Sequence, residues 1–82
     1  MEVAVFLDVN MVLLAERLLI ARRRAGLSQT SVAWRADLDL SNYNEIEKGK
    51  SGGMRIETLY RLCQVCNVSA DYLLGLEAEN AL

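Results

Sequence analysis

The spacing of apolar residues changes period along this chain. Val3, Val5, Leu7 and Val9 alternate with Ala4, Phe6 and Asp8, a strand-like period of two. A lone strand needs a partner, which a neighbouring subunit can supply. From Met11 to Ala25 the period becomes helical, with Leu14, Leu18, Ala21 and Ala25 on one stripe and Gly26 placed to end the helix. Leu13, Leu19 and Ile20 fall off that stripe, and are expected to cover the N-terminal segment or face a partner.

Shorter elements follow. Ser28 caps a helix from Gln29 to Ala36 that points Val32 and Ala33 inward, and Ala36-Asp37-Leu38 forms a tight turn. Asp39 has the side chain of an N-cap for a helix from Leu40 to Lys48, which Gly49 stops. Lys50-Ser51-Gly52-Gly53 reads as a loop. A fourth helix, from about Ile56 to Cys66, is expected to bury Ile56, Leu59, Leu62 and Cys63. Ser69 caps a last helix, Ala70 to Leu74, ended by Gly75. The chain therefore divides into an apolar N-terminal arm (1–10), a helical domain (11–76) and a tail (77–82) expected to fray.

Composition narrows the function. Eighty-two residues make one domain, burying roughly 60–65% of the surface its unfolded chain exposes. An apolar share of 52% excludes a disordered polar tail and is rich for a small monomer, which points to a partner surface. Charged residues interrupt the apolar N-terminus, so neither a membrane span nor a signal peptide is expected there. Histidine is absent, which removes the commonest metal ligand and the usual neutral-pH base. No glycine-rich phosphate loop and no nucleophile beside a base replaces it, so the chain reads as a non-enzyme without a cofactor.

Cys63 and Cys66 form one C-x-x-C pair inside an amphipathic pattern. A zinc site needs about four ligands, and the expectation is buried, reduced thiols in the cytoplasm rather than a redox or intersubunit pair. Net charge is −2, but it is segregated. Residues 22–61 carry eight basic and five acidic side chains, whereas the remainder carries one basic and six acidic. A basic middle on an acidic protein attracts phosphates locally, and a solvated surface explains it about as well.

Two short helices joined by about four residues, braced before and after, make a helix-turn-helix geometry. A short projecting helix of this kind fits the DNA major groove, roughly 12 Å wide, and offers its N-terminal side chains to base edges. The residues also resemble a known family. Arg22-Arg23-Arg24-Ala25-Gly26-Leu27-Ser28-Gln29, Val32-Ala33, Ile46-Glu47-Lys48-Gly49-Lys50 and Asn67-Val68-Ser69-Ala70-Asp71-Tyr72-Leu73-Leu74-Gly75 are similar to phage repressor and Cro-like (XRE-type) helix-turn-helix domains. The likeness spans Leu18 to Leu76, nearly three quarters of the chain.

The resemblance implies an all-α, compact, five-helix lambda-repressor-like domain with Leu40 to Lys48 as recognition helix. It aims Leu40, Ser41, Asn42, Asn44 and Glu45 at the groove and turns Tyr43 and Ile46 inward. It places Gln29 at a phosphate or base edge, and pairs Arg22 with Glu47 across the domain. The chemistry agrees in part. Asn42 and Asn44 donate and accept together, as adenine requires, and Leu40 suits a thymine methyl. Lys48, Lys50 and Arg55 suit phosphates, as does the Thr30 hydroxyl, although a solvated threonine explains Thr30 equally well. Glu45 either accepts from cytosine N4 or repels wrong sites. The alternative for Arg22 is a solvated edge shared with Arg23 and Arg24.

Departures from the family pattern are the acidic Glu45, a loop after Gly49 that is one residue longer and lacks proline, and Trp34, where core packing is favoured over an exposed anchor. The expected partners are double-stranded DNA and a second copy of the chain, because so small a domain gains affinity from two half-sites. The second copy would meet either the N-terminal arm or the fifth helix with Tyr72, Leu73 and Leu76. The competing reading is an antitoxin or accessory module on the same fold, holding a protein through the arm with weak or no DNA binding.

Overall fold

The structure, a computed structural model, describes residues 8–77. Five helices follow in order: α1 (Met11–Arg24), α2 (Gln29–Arg35), α3 (Leu40–Glu47), α4 (Ile56–Cys66) and α5 (Ala70–Leu74). No strand occurs among the described residues. The strand-like alternation at Val3 to Leu7 lies outside them, and Val9 is exposed coil leading into α1.

Local chemistry starts and stops each element. Asn10 Oδ1, Ser28 Oγ and Ser69 Oγ accept from the amides of Leu13, Ser31 and Tyr72 at 3.0, 3.1 and 3.0 Å, satisfying donors that the first helical turn leaves unpaired. Asp39 has an N-cap backbone but makes no side-chain cap bond, contrary to expectation. Its carboxylate is exposed, so it gains little from giving up hydration, while it still lies at the positive end of α3. The α2–α3 turn closes with Asp37 in the left-handed region (φ 60°) and the Leu38 amide on the Ala33 carbonyl at 2.8 Å. Gly49 ends α3 at φ +74°, and a Cβ there would approach the Val12 backbone to 3.3 Å, so this turn seats α3 directly on α1.

α1 packs against α3, α4 and α5, and α2 packs against α3 and α4. The core they enclose is built on Leu14, Leu18, Val32, Tyr43, Leu62 and Leu73, all fully buried. Leu13, off the main stripe of α1, is half-buried and lies against Gly75 at the end of α5.

Three burial expectations are corrected. Trp34 is 81% exposed, not packed in the core. The inner side of α2 is filled by Val32, Ala33 and Ala36, and Trp34 points away from that side. Ile56 is 85% exposed because it opens α4 before that helix reaches the core, whose inward stripe is Thr58, Leu62, Cys63 and Cys66. Ala25 is exposed, since α1 has ended at Arg24. The thiols of Cys63 and Cys66 are free and buried, and burial pushes Cys66 up to about 11, which leaves little nucleophilic thiolate at neutral pH.

Among the described residues no helix is long and apolar enough to cross a membrane.

Candidate nucleic-acid interface

The orientation of α3 is set from beneath. Its inward residues Tyr43 and Ile46 are buried, and Glu47 at its last position carries a carboxylate only 5% exposed. Three side chains meet that carboxylate with four hydrogen bonds. Arg22 donates Nε to Oε2 at 2.6 Å and Nη2 to Oε1 at 3.2 Å, a two-pronged fork, and its Nη1 reaches the Leu27 carbonyl at 2.9 Å. The Tyr43 hydroxyl donates to Oε2, and Gln29 Nε2 donates to Oε1 at 2.9 Å. One carboxylate thus ties together α1, the start of α2 and the end of α3.

The electrostatics are self-consistent. Burial pushes the Glu47 carboxyl up, but the hydrogen bonds from Arg22, Tyr43 and Gln29 outweigh it and hold the group below its ordinary value. The bond to Glu47 raises Arg22, while burial and the same carboxylate push the Tyr43 phenol well above its usual range. The cluster stays ionised as a pair at neutral pH. Its role is orientation, since a buried pair is weak evidence of net stabilisation.

With α3 held this way, Leu40, Ser41, Asn42 and Glu45 project into solvent, and Leu40 is 43% exposed. Thr30, Lys48, Lys50 and Arg55 are exposed as well. Two expected contact residues sit differently. Asn44 is half-buried at the border of the inward face, and its Oδ1 is buried without a hydrogen-bond partner. Gln29 is half-buried with its amide turned to Glu47.

Beside the outward face of α3 lies an open groove of about 610 Å³, bounded by the α2–α3 turn, the loop after Gly49 and the first turns of α4. Asn42, Glu45, Lys50 and Arg55 line it. Arg61 lines it too, a residue that sequence reasoning did not single out, because its approach to α3 depends on long-range packing that has no local signature. The parts played by Tyr43 and Gln29 at Glu47 were also missed. The four-residue spacing of Tyr43 and Glu47, which places both on one helix face, was the available signal.

A second tie lies on the far side of the domain. Arg17 Nη1 donates to the carbonyls of Tyr72 at 2.6 Å and Glu77 at 3.2 Å, with its guanidinium 4.5 Å from the centre of the Tyr72 ring. This fastens α5 to α1 and leaves the α3 face clear.

Comparison with known proteins agrees with this geometry. The helix-turn-helix domain family matches residues 15–79. The fold is similar to that of the restriction-modification controller protein C.AhdI from Aeromonas hydrophila, with a TM-score of 0.70 and 25% identity, covering 77% of this chain and 94% of that one. No curated protein is similar enough to match. The expected five-helix architecture and the resemblance drawn from residues Leu18 to Leu76 both hold, and the chain belongs to the helix-turn-helix domain family, in its phage repressor and Cro-like (XRE) type.

Proposed function

We propose that this domain is a sequence-specific, DNA-binding transcriptional regulator, a repressor that inserts α3 into the major groove and acts as a homodimer in the cytoplasm, without enzymatic activity. The observation that carries this reading is the uncovered row Leu40, Ser41, Asn42 and Glu45 on a helix locked from below by Glu47. Asn42 pairs with an adenine edge, Ser41 with a base or phosphate, and Leu40 with a thymine methyl. Glu45 accepts from cytosine N4 or rejects other pairs. Thr30, Lys48, Lys50 and Arg55 hold phosphates and set the register. Asn44 and Gln29 border the interface at its inner edge, where Gln29 keeps one free amide hydrogen. The similarity to a restriction-modification controller protein supports a regulatory role.

Dimer formation is supported by apolar surface away from α3. Ile56 and Tyr60, one turn apart on α4, are 85% and 64% exposed, and Leu76 after α5 is 73% exposed. Binding two half-sites through a two-fold axis gives so small a reader its affinity.

Selection of bound sequences from a random duplex pool, with wild type and Asn42→Ala, tests the reading. An enriched, two-fold symmetric motif that is altered or lost in the variant is expected. No enrichment at low salt rejects it in favour of an antitoxin or accessory module that binds protein. The net charge of −2 and the exposed Trp34 are the features that favour that second reading.

A further inference from the structure

The groove beside α3 is polarised. Its carboxylates, Asp37 and Glu45, come from the α2–α3 turn and α3, whereas its cations, Lys50, Arg55 and Arg61, come from the following loop and α4. None of the five forms an ion pair among the described residues. Arg61 stands out among the cations because it is half-buried, while Lys50 and Arg55 are exposed. A guanidinium at an open groove, with no carboxylate partner among the described residues, is free to meet an anion. Thr58, whose side chain is largely buried, supplies a hydroxyl to the same wall one turn away.

We propose that Arg61 holds a DNA backbone phosphate and completes a cationic wall that seats one strand of the duplex in this groove. The inference rests on the DNA-binding reading and extends it to a residue outside the recognition helix and its flanking loop. Arg61 lies six residues after Arg55, so it carries the cationic wall about 9 Å further along α4. The division of charge orients the strand. Phosphates lie on the α4 wall, while Asn42 and Glu45 on the α3 wall meet base edges. The carboxylates oppose the reverse placement, which makes the acidic character of the recognition region compatible with binding a polyanion.

The test measures affinity for the selected duplex and for a scrambled duplex of equal length across a salt series, using wild type, Arg61→Gln and Arg61→Lys. Loss of one phosphate contact lowers the magnitude of the log–log salt slope by about 0.9. Arg61→Gln is expected to show that change and to weaken binding to both duplexes by a similar factor, about tenfold at low salt. Arg61→Lys should keep the wild-type slope, because the charge remains. Circular dichroism melts identify a variant that fails to fold; if Arg61→Gln does, Arg61→Met takes its place, with the same reduced slope expected and an unchanged slope overturning the inference. An unchanged slope and affinity in Arg61→Gln overturns the inference and leaves the regulator reading standing. A loss confined to the selected sequence, with the slope intact, overturns the phosphate role as well. Wild type that binds neither duplex removes the regulator reading itself, and this inference with it.

Discussion

Arg22 grips Glu47 with two donors, at 2.6 and 3.2 Å, across the space between α1 and the end of α3. The pair is almost closed to solvent, at 11% and 5% side-chain exposure, and Tyr43 and Gln29 fill the remaining acceptor positions of the carboxylate. A helix of eight residues is too short to be stable alone. Its direction is therefore imposed by Tyr43 and Ile46 in the core and by this tether at its C-terminal end.

Removing one partner of the tether should be worse than removing both. Arg22→Ala leaves a buried carboxylate without its cation and is expected to cost about 3–5 kcal/mol of stability. The double variant Arg22→Met, Glu47→Leu should recover part of that loss, because no buried charge remains unpaired. Urea denaturation of the two variants against wild type checks this, and a double variant as unstable as Arg22→Ala alone would contradict it.

The same carboxylate gives the fold a signed pH dependence. The Glu47 carboxyl titrates below its ordinary value of 4.5 in the folded state, so the unfolded chain binds the proton more readily. Its contribution to stability is complete above that ordinary value and is lost as pH falls through the lower folded value. The stability gap between wild type and Glu47→Gln should therefore be constant from pH 7 down to about pH 5 and shrink below it. Denaturation midpoints measured from pH 7 to pH 3 would show this, and a gap that widened on acidification would refute the assignment.

Base-reading and phosphate-holding residues should separate in binding data. Asn42→Ala is expected to lose about 1–3 kcal/mol on the selected duplex and little on a scrambled one. Lys50→Gln should weaken both alike and flatten the salt dependence. Fluorescence anisotropy at several salt concentrations distinguishes the two patterns.

Gly49 carries a local requirement that its neighbour Gly52 does not. Gly49→Ala forces a side chain into φ +74° and against the Val12 backbone, with an expected cost of about 1–3 kcal/mol. Gly52→Ala places its methyl in open space and should be close to neutral. Thermal unfolding of both variants measures the contrast, and equal midpoints would disprove it.

Self-association through α4 predicts a variant that changes assembly but not folding. Ile56 contributes little to the core, so Ile56→Asp should keep wild-type helicity while shifting the chain toward monomer. Sedimentation velocity together with circular dichroism tests this. Unchanged association would move the dimer contact elsewhere.

Most of the architecture was readable before any coordinates. Ser28 and Ser69 cap helix starts, and Gly26, Gly49 and Gly75 follow helix ends, through chemistry that acts within a few residues; α1, α2 and α3 each end one residue before the expected position. The inward pair Val32–Ala33 also follows from position on its own helix, whereas the inward turn of Tyr43 and Ile46 was implied by the family resemblance. Asp39 is a partial exception, since it occupies the N-cap position without using its side chain. The pairing of Arg22 with Glu47 was legible only through resemblance to a family, because nothing within 25 residues of chain announces a long-range partner.

What the amino-acid order determined by itself is the set of helices and, to within a residue, their boundaries, because periodicity and capping depend on neighbours a turn away. Tertiary structure alone decided that Trp34 and Ile56 face solvent, that Asn44 and Gln29 turn partly inward, and that Arg61 shares a groove with Asn42 and Glu45. Those outcomes depend on how closely one helix approaches another and at what angle. That geometry is settled by the volumes of Val32, Ala33, Tyr43 and Leu62 packing together, and no single segment contains it.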